Sequence, residues 1–314
     1  MRFARPSLMM RLTARGASVA SRVFRAFNPS AEKLRQRLLA RRYPVAPRPT
    51  ASLRRLCPIR EETGTDGFPG FHLTPRRNAG PTHVLYIHGG AYFLQLMTIH
   101  WWIVEQIIRQ TGDSVIVPVY PLAPEHDHRA AVAMIDTLYD DLVTRVGARN
   151  VVLSGDSAGG NFSVSLAQRL VASGRPLPAA LLLFAPWLDV TMADPECLRV
   201  EREDPVLSID YARMGGEIWA GTANPKDPLV SPFYGPVEGL PPMTVFQGSR
   251  DIVMPAARDF AARARQAEIT VDYHQYEGAI HVFNALAFLP ESKDVYARIG
   301  EMFRRLEQDS HKAP

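Results

Sequence analysis

Residues 151–161 read Val-Val-Leu-Ser-Gly-Asp-Ser-Ala-Gly-Gly-Asn, and the fold is decided there. Val151 to Ser154 is a buried-strand pattern, and Ala158 to Ala172 has helical spacing. Between them Gly155-x-Ser157-x-Gly159 forms the strand–turn–helix setting of a nucleophile elbow. So sharp a turn needs small flanking residues, and it leaves the serine projecting into the open. The helix that follows points free N–H groups and a positive dipole end at developing negative charge.

Outward from this elbow the alternation continues. Strand patterns at Thr82–Ile87, Ser114–Tyr120, Ala179–Phe184, Met243–Gln247 and Thr270–Tyr276 are separated by helical patterns at Thr98–Gln110, Arg129–Val146 and Pro255–Gln266. Continuous apolar strands between amphipathic helices predict an α/β fold, a mostly parallel sheet covered on both faces. Asp189 to Pro242 breaks the alternation as a Pro- and Gly-rich insert without clear strands, a candidate lid or cap.

In such sheets ligands sit at the carboxyl ends of strands. After the strand at Thr82 comes His88-Gly89-Gly90-Ala91-Tyr92, where glycines let a loop present its amides to a carbonyl oxygen that gains charge. A serine also needs a base, and the base needs an orienting carboxylate. Three histidines follow Ser157. His274 lies inside a strand pattern, and His311 lies in a polar C-terminal tail. His281 follows the last strand, where a base can reach back over the sheet. Asp251 ends the Met243 strand, whereas Asp259 and Asp272 lie within a helix and a strand. Ser157, Asp251 and His281 are the candidate catalytic set.

The 314 residues suffice for one large α/β domain, and no run of about eighteen apolar residues is present to span a membrane. Two cysteines, Cys57 and Cys197, make neither a disulfide framework nor a zinc site, so a reducing, cytoplasmic setting is expected. The net charge of +4 is lopsided: residues 1–60 carry +14 and the remainder −10. The acidic remainder holds every motif above, which argues against a nucleic-acid enzyme. Met1 to Arg25 fits a transit peptide, a basic helix on an anionic membrane, or a docked helix. The docked helix is preferred, with Val19, Val23, Phe24 and Phe27 as its apolar stripe and Arg22 and Arg25 opposite. Pro44, Pro47 and Pro49 then mark a linker.

His88-Gly-Gly-Ala91, Tyr120-Pro-Leu-Ala-Pro-Glu-His126 and Gly155-Asp-Ser-Ala-Gly-Gly-Asn161, with Pro186-Trp-Leu-Asp189, together resemble the hormone-sensitive-lipase-like (family IV) carboxylesterases. The resemblance spans about residues 80 to 290. It implies an α/β-hydrolase fold with a helical cap, and a Ser157–His281–Asp251 triad. It implies an oxyanion hole from the amides of Gly90, Ala91 and Ala158, with Gly89 shaping the loop. It also implies a cap from residues 1–50 and 189–242 over a catalytic domain of residues 51–314. Three departures stand out: Ala91 stands where the family often has a third glycine, Val282-Phe283 follows the histidine where glycine is usual, and Asp127-His128-Arg129 follows the Tyr120–His126 motif.

The expected activity is hydrolysis of short- to medium-chain esters, lactones among them, without cofactor or metal. Tyr92, Phe93, Leu94, Trp219, Phe233 and Tyr234 are candidate pocket walls. Rival readings are a non-catalytic small-molecule receptor and an amidase with the same triad. The other conspicuous residues have structural readings. His88 braces the glycine loop, Glu125 is a structural carboxylate, and Trp101 and Trp102 cover the sheet, with one of them a further candidate for the pocket wall. His126-Asp127-His128 is poorly spaced for a metal. The oligomeric state, a homodimer included, is left open.

Overall fold

The computed structural model describes residues 5–27, 30–41, 44–64, 67–76 and 79–312; the side chains of Arg25 and His311 lie outside the described set. Among these residues eight strands form one sheet: β1 (Ile59–Thr63), β2 (Pro69–Leu73), β3 (His83–Ile87), β4 (Ser114–Pro118), β5 (Val151–Asp156), β6 (Ala180–Phe184), β7 (Met243–Arg250) and β8 (Val271–Ile280). Their order is β1-β2-β4-β3-β5-β6-β7-β8. β2 pairs antiparallel with β1 and β4, and every pairing from β4 across to β8 is parallel. The sequence reading missed β1 and β2, because Ile59–Thr63 is polar and largely exposed and so lacks the apolar run of a buried strand.

Among the described residues ten helices dress this sheet. Before and between the first strands come α1 (Leu8–Phe27), α2 (Ala31–Leu39), α3 (Ala51–Leu56) and α4 (Thr98–Thr111). Then follow α5 (His128–Val146), α6 (Ala158–Ser173), α7 (Glu196–Glu201), α8 (Ile209–Ala220), α9 (Met254–Gln266) and α10 (Pro290–Lys312). Strand side chains alternate between two cores, as the two-residue period requires. Leu85 and Ile87 face the core made with Ile135 of α5, Phe162 of α6 and Phe260 of α9. Val84 and Tyr86 face the other, made with Met10 of α1, Ile103 of α4 and Ile299 of α10.

The C-terminal stretch read as a polar tail is the end of α10; its spaced apolar residues Val295, Ile299 and Phe303 are buried. The insert 189–242 contains α7, α8 and a short helical turn at Pro232–Tyr234, and no strand. α2 meets α8 through Leu34, Leu38 and Met214, which cluster with Phe93 of the glycine loop.

The N-terminal helix is docked, but by a different face from the expected one. Met10 and Ala14 are buried against the second core, whereas Val19, Val23, Phe24 and Phe27 are exposed. The reason is the size of what fits. Ala14 and Ala17 let the helix approach β8 closely, and the bulkier stripe points away.

Candidate active site

Ser157 stands between β5 and α6 with φ 52° and ψ −117°, a conformation costly for a residue with a Cβ. Its N–H donates to the Phe184 carbonyl at 2.9 Å, and its carbonyl accepts from Trp187 at 3.0 Å. Glycine is obligatory beside it: a Cβ on Gly159 would lie 1.9 Å from the Ile87 carbonyl oxygen. Asn161, one turn on, donates to the carbonyls of Trp187 and Val230 at 3.0 and 2.9 Å, tying the elbow to the chain just before the insert and to a point within it.

Asp251 follows β7, and His281 follows β8. His281 Nδ1 lies 2.9 Å from Asp251 Oδ2, and the carboxylate also accepts from Gln247 Nε2 at 2.8 Å and from the Val253 amide at 3.2 Å. Burial by itself would make His281 harder to protonate. The Asp251 charge and hydrogen bond, with Asp204 and Asp156 further away, outweigh burial and hold its pKa above the ordinary imidazole value. Asp204 is a second buried carboxylate near this pair. It accepts from the amides of Val206, Leu207 and Ile252 at 2.7–2.9 Å, and burial beside Asp251 raises its pKa to about 6.

The glycine loop is braced from below by Asp156. Asp156 Oδ1 accepts from the Gly89 amide at 3.1 Å and from the Tyr86 hydroxyl, and Oδ2 faces His100 Nε2 at 3.5 Å. His100 Nδ1 accepts from the Met97 amide at 2.8 Å, so the neutral ring carries its proton on Nε2, toward Asp156. The Gly89 amide is thus engaged below the loop. Gly90 and Ala91, both at positive φ, turn beside the cavity. Ala158 opens α6, where a backbone N–H has no partner within the helix.

Ser157, His281, Gly90 and Ala91 line one cavity of about 390 Å³ with mainly apolar walls. Phe93, Leu94 and Met97 come from the glycine-loop side; Leu207 and Tyr211 come from the insert, and Ser21, Phe24 and Leu34 from the N-terminal segment. Of the six candidate pocket walls, only Phe93 and Leu94 are in this lining. Tyr92 turns inward instead and is fully buried, stacked on Trp219 at a ring separation of 4.1 Å. Trp219 is likewise a core residue against Phe162. Phe233 and Tyr234 lie on a helical turn that packs on α6 and α9; there the Tyr234 hydroxyl donates to Asp189 at 3.1 Å.

His100, Asp156, Asp204 and Arg41 were not singled out as functional from the sequence. Asp156 sat inside the quoted motif, but nothing in one sequence says that its carboxylate braces a loop 67 positions earlier. Arg41 binds the Phe93 and Ala123 carbonyls and forms a bidentate pair with Glu125 at 3.0 and 3.2 Å. Glu125 is accordingly a half-exposed structural carboxylate. His88 is fully buried, stacked on Tyr120 at 4.3 Å, and burial pushes its pKa down to about 3. Trp101 is buried on β2 and donates to the Pro47 carbonyl at 2.9 Å, Trp102 is exposed, and neither lines the cavity. Asp127 caps α5 by accepting from the Arg129 amide at 3.0 Å. His274 stacks on Phe246 within the sheet. Cys57 and Cys197 are buried thiols whose pKa values burial raises to about 11 and about 12.

An α/β-hydrolase-fold family model matches residues 84–285. An esterase of Acinetobacter venetianus is 32% identical over 72% of this chain and 76% of its own length. An acetyl-hydrolase of Streptomyces hygroscopicus is 32% identical over 74% and 78%. A crystal structure of an esterase from the bacterial hormone-sensitive lipase family superposes with a TM-score of 0.74 at 31% identity, over 79% of this chain and 84% of that one. Fold and site are those of a carboxylic ester hydrolase. The chain belongs to the hormone-sensitive-lipase-like family of α/β-hydrolases.

Proposed function

We propose that the protein hydrolyses short- to medium-chain carboxylic esters, lactones among them, through an acyl-enzyme on Ser157. The observation that carries this is the shared cavity: Ser157 and the Asp251-paired His281 open into one small, apolar-walled space. Its volume of about 390 Å³ falls in the lower half of the range of small-molecule sites, roughly 300–1,000 Å³.

Ser157 attacks the ester carbonyl while His281 Nε2 takes its proton. Asp251 holds Nδ1–H and stabilises the imidazolium. The amides of Gly90, Ala91 and Ala158 receive the oxyanion, each donor contributing about 3 kcal/mol to the barrier reduction. His281 then gives its proton to the leaving alcohol, the C–O bond breaks, and an acyl-Ser157 ester remains. Water, deprotonated by the same imidazole, releases the acid and restores the serine. Residues 1–50 and 189–242 act as a cap over a catalytic domain of residues 51–314, and the basic N-terminal segment contacts an anionic membrane surface.

Hydrolysis of p-nitrophenyl acetate, butyrate, octanoate and palmitate by wild type and Ser157→Ala tests this reading. Turnover greatest at butyrate or octanoate and lost in Ser157→Ala is expected. Faster turnover of palmitate, or activity retained without the serine, overturns it.

A further inference from the structure

α1 is a helix held in one rotational setting. Its first turn is fixed by Ser7, whose amide and hydroxyl both donate to the buried carboxylate of Glu291 at 2.7 and 3.0 Å. Pro6 packs so closely on Gly278 of β8 that a Cβ there would come within 2.6 Å of it. Met10 and Ala14 are then sealed into the second core. Further along, Ser21 and Phe24 line the cavity that holds Ser157.

With that one face committed along its length, the opposite face is fixed in the solvent. It carries Leu8, Leu12, Val19, Val23 and Phe27, between 53 and 67% exposed. Their spacing of four, seven, four and four residues keeps them on one side of the helix. Arg11, Arg15 and Arg22 are exposed in the adjacent row, and α1 contains no acidic residue. An exposed apolar stripe beside a cation row, on the side of the helix turned away from the core, is the pattern of a helix lying in a lipid headgroup layer. The arginines select the sign of that surface, favouring anionic lipid. Among the described residues no helix is long and apolar enough to cross a membrane.

We propose that the outward face of α1 lies in the plane of an anionic lipid surface, and that ester substrates dissolved in that surface enter the cavity past Ser21 and Phe24. The first half deepens the membrane contact proposed above, naming the face that makes it; the second rests on the esterase reading.

The test is co-sedimentation of the full chain with phosphatidylglycerol or phosphatidylcholine vesicles, beside hydrolysis of a water-soluble butyrate ester. Wild type is expected to bind phosphatidylglycerol about tenfold or more tightly than phosphatidylcholine, and to lose that margin in high salt. Leu12→Asp with Val19→Asp should abolish binding and leave butyrate hydrolysis unchanged. Should that pair disturb folding, Arg11→Gln, Arg15→Gln and Arg22→Gln together should remove the preference for anionic lipid. Wild type that ignores both vesicles, or Asp variants that still bind, overturns the proposal. A dimer in vesicle-free solution that those substitutions split overturns it too, and gives the stripe to a second copy. Vesicle binding without ester hydrolysis would leave the docking face standing and overturn the delivery of esters.

Discussion

His281 Nδ1 sits 2.9 Å from an Asp251 carboxylate that has no solvent-exposed surface. That buried charge and its hydrogen bond favour the protonated imidazole of His281. A base works only when neutral, so activity rises as pH passes upward through the His281 pKa. Because that pKa is raised, the acid limb of kcat/KM should inflect above the ordinary imidazole value of 6.5. Asp251→Asn should move the inflection toward acid and cost roughly 10⁴-fold in kcat. A limb centred below 6.5 in wild type would remove His281 as the titrating group.

Val282 explains one departure from the family pattern and makes a second prediction. It occupies left-handed backbone, φ 49° and ψ 36°, which is costly for a β-branched residue and free for glycine. Its side chain also borders the cavity. Val282→Ala removes packing yet keeps a Cβ in strained backbone. Val282→Gly removes the same packing and releases about 1–2 kcal/mol of strain. Thermal melts should find the glycine variant at least as stable as the alanine variant. Ester profiling should find its optimum at the same or longer acyl chains. A glycine variant clearly less stable than alanine contradicts the strain argument.

Arg41 joins the N-terminal segment to the loop that carries Gly90 and Ala91. Its loss strands the Phe93 and Ala123 carbonyls, and charge-assisted hydrogen bonds are worth about 1.5–3 kcal/mol. Arg41→Gln should lower kcat about tenfold, more than it raises KM, because a loosened loop presents its amides poorly to the transition state. Glu125→Gln should do the same more weakly. A change in melting temperature with unchanged kcat would mean that the clamp serves stability alone.

The parallel sheet and the elbow were legible because they rest on local patterns, namely apolar strands and glycines beside Ser157. Asp251 and His281 were legible because a strand end is readable and the chain order Ser, acid, His leaves few candidates. Of the pocket walls, only Phe93 and Leu94 were. Tyr92 and Phe93 are adjacent in sequence, yet one stacks in the core on Trp219 and the other meets the cavity. That outcome is set by positive φ at Ala91 and Tyr92. The face by which α1 docks was equally hidden, since helical periodicity marks two apolar stripes and only the partner surface chooses between them.

Asp113 gives a stability prediction away from the site. It is buried with Oδ1 accepting from the Thr82 amide at 3.1 Å and Oδ2 without a hydrogen-bond partner among the described residues; burial raises its pKa to about 7. A carboxyl whose folded pKa exceeds its unfolded value binds its proton more tightly when folded. Its contribution therefore falls as pH climbs from about 3.8 to about 7. Asp113→Asn imitates the protonated form. It should raise the melting temperature by a few degrees at pH 8 and change it little at pH 4. An equal or opposite effect at pH 8 would show that the charged form is well accommodated.

The most direct test of Ser157 as the acyl-carrying nucleophile is labelling with a fluorophosphonate, followed by peptide mass mapping. One adduct per chain, on the peptide containing Ser157, is expected, slowed at least a hundredfold in His281→Ala and absent in Ser157→Ala. An active protein that carries its adduct elsewhere, or takes none, would contradict the role given to Ser157.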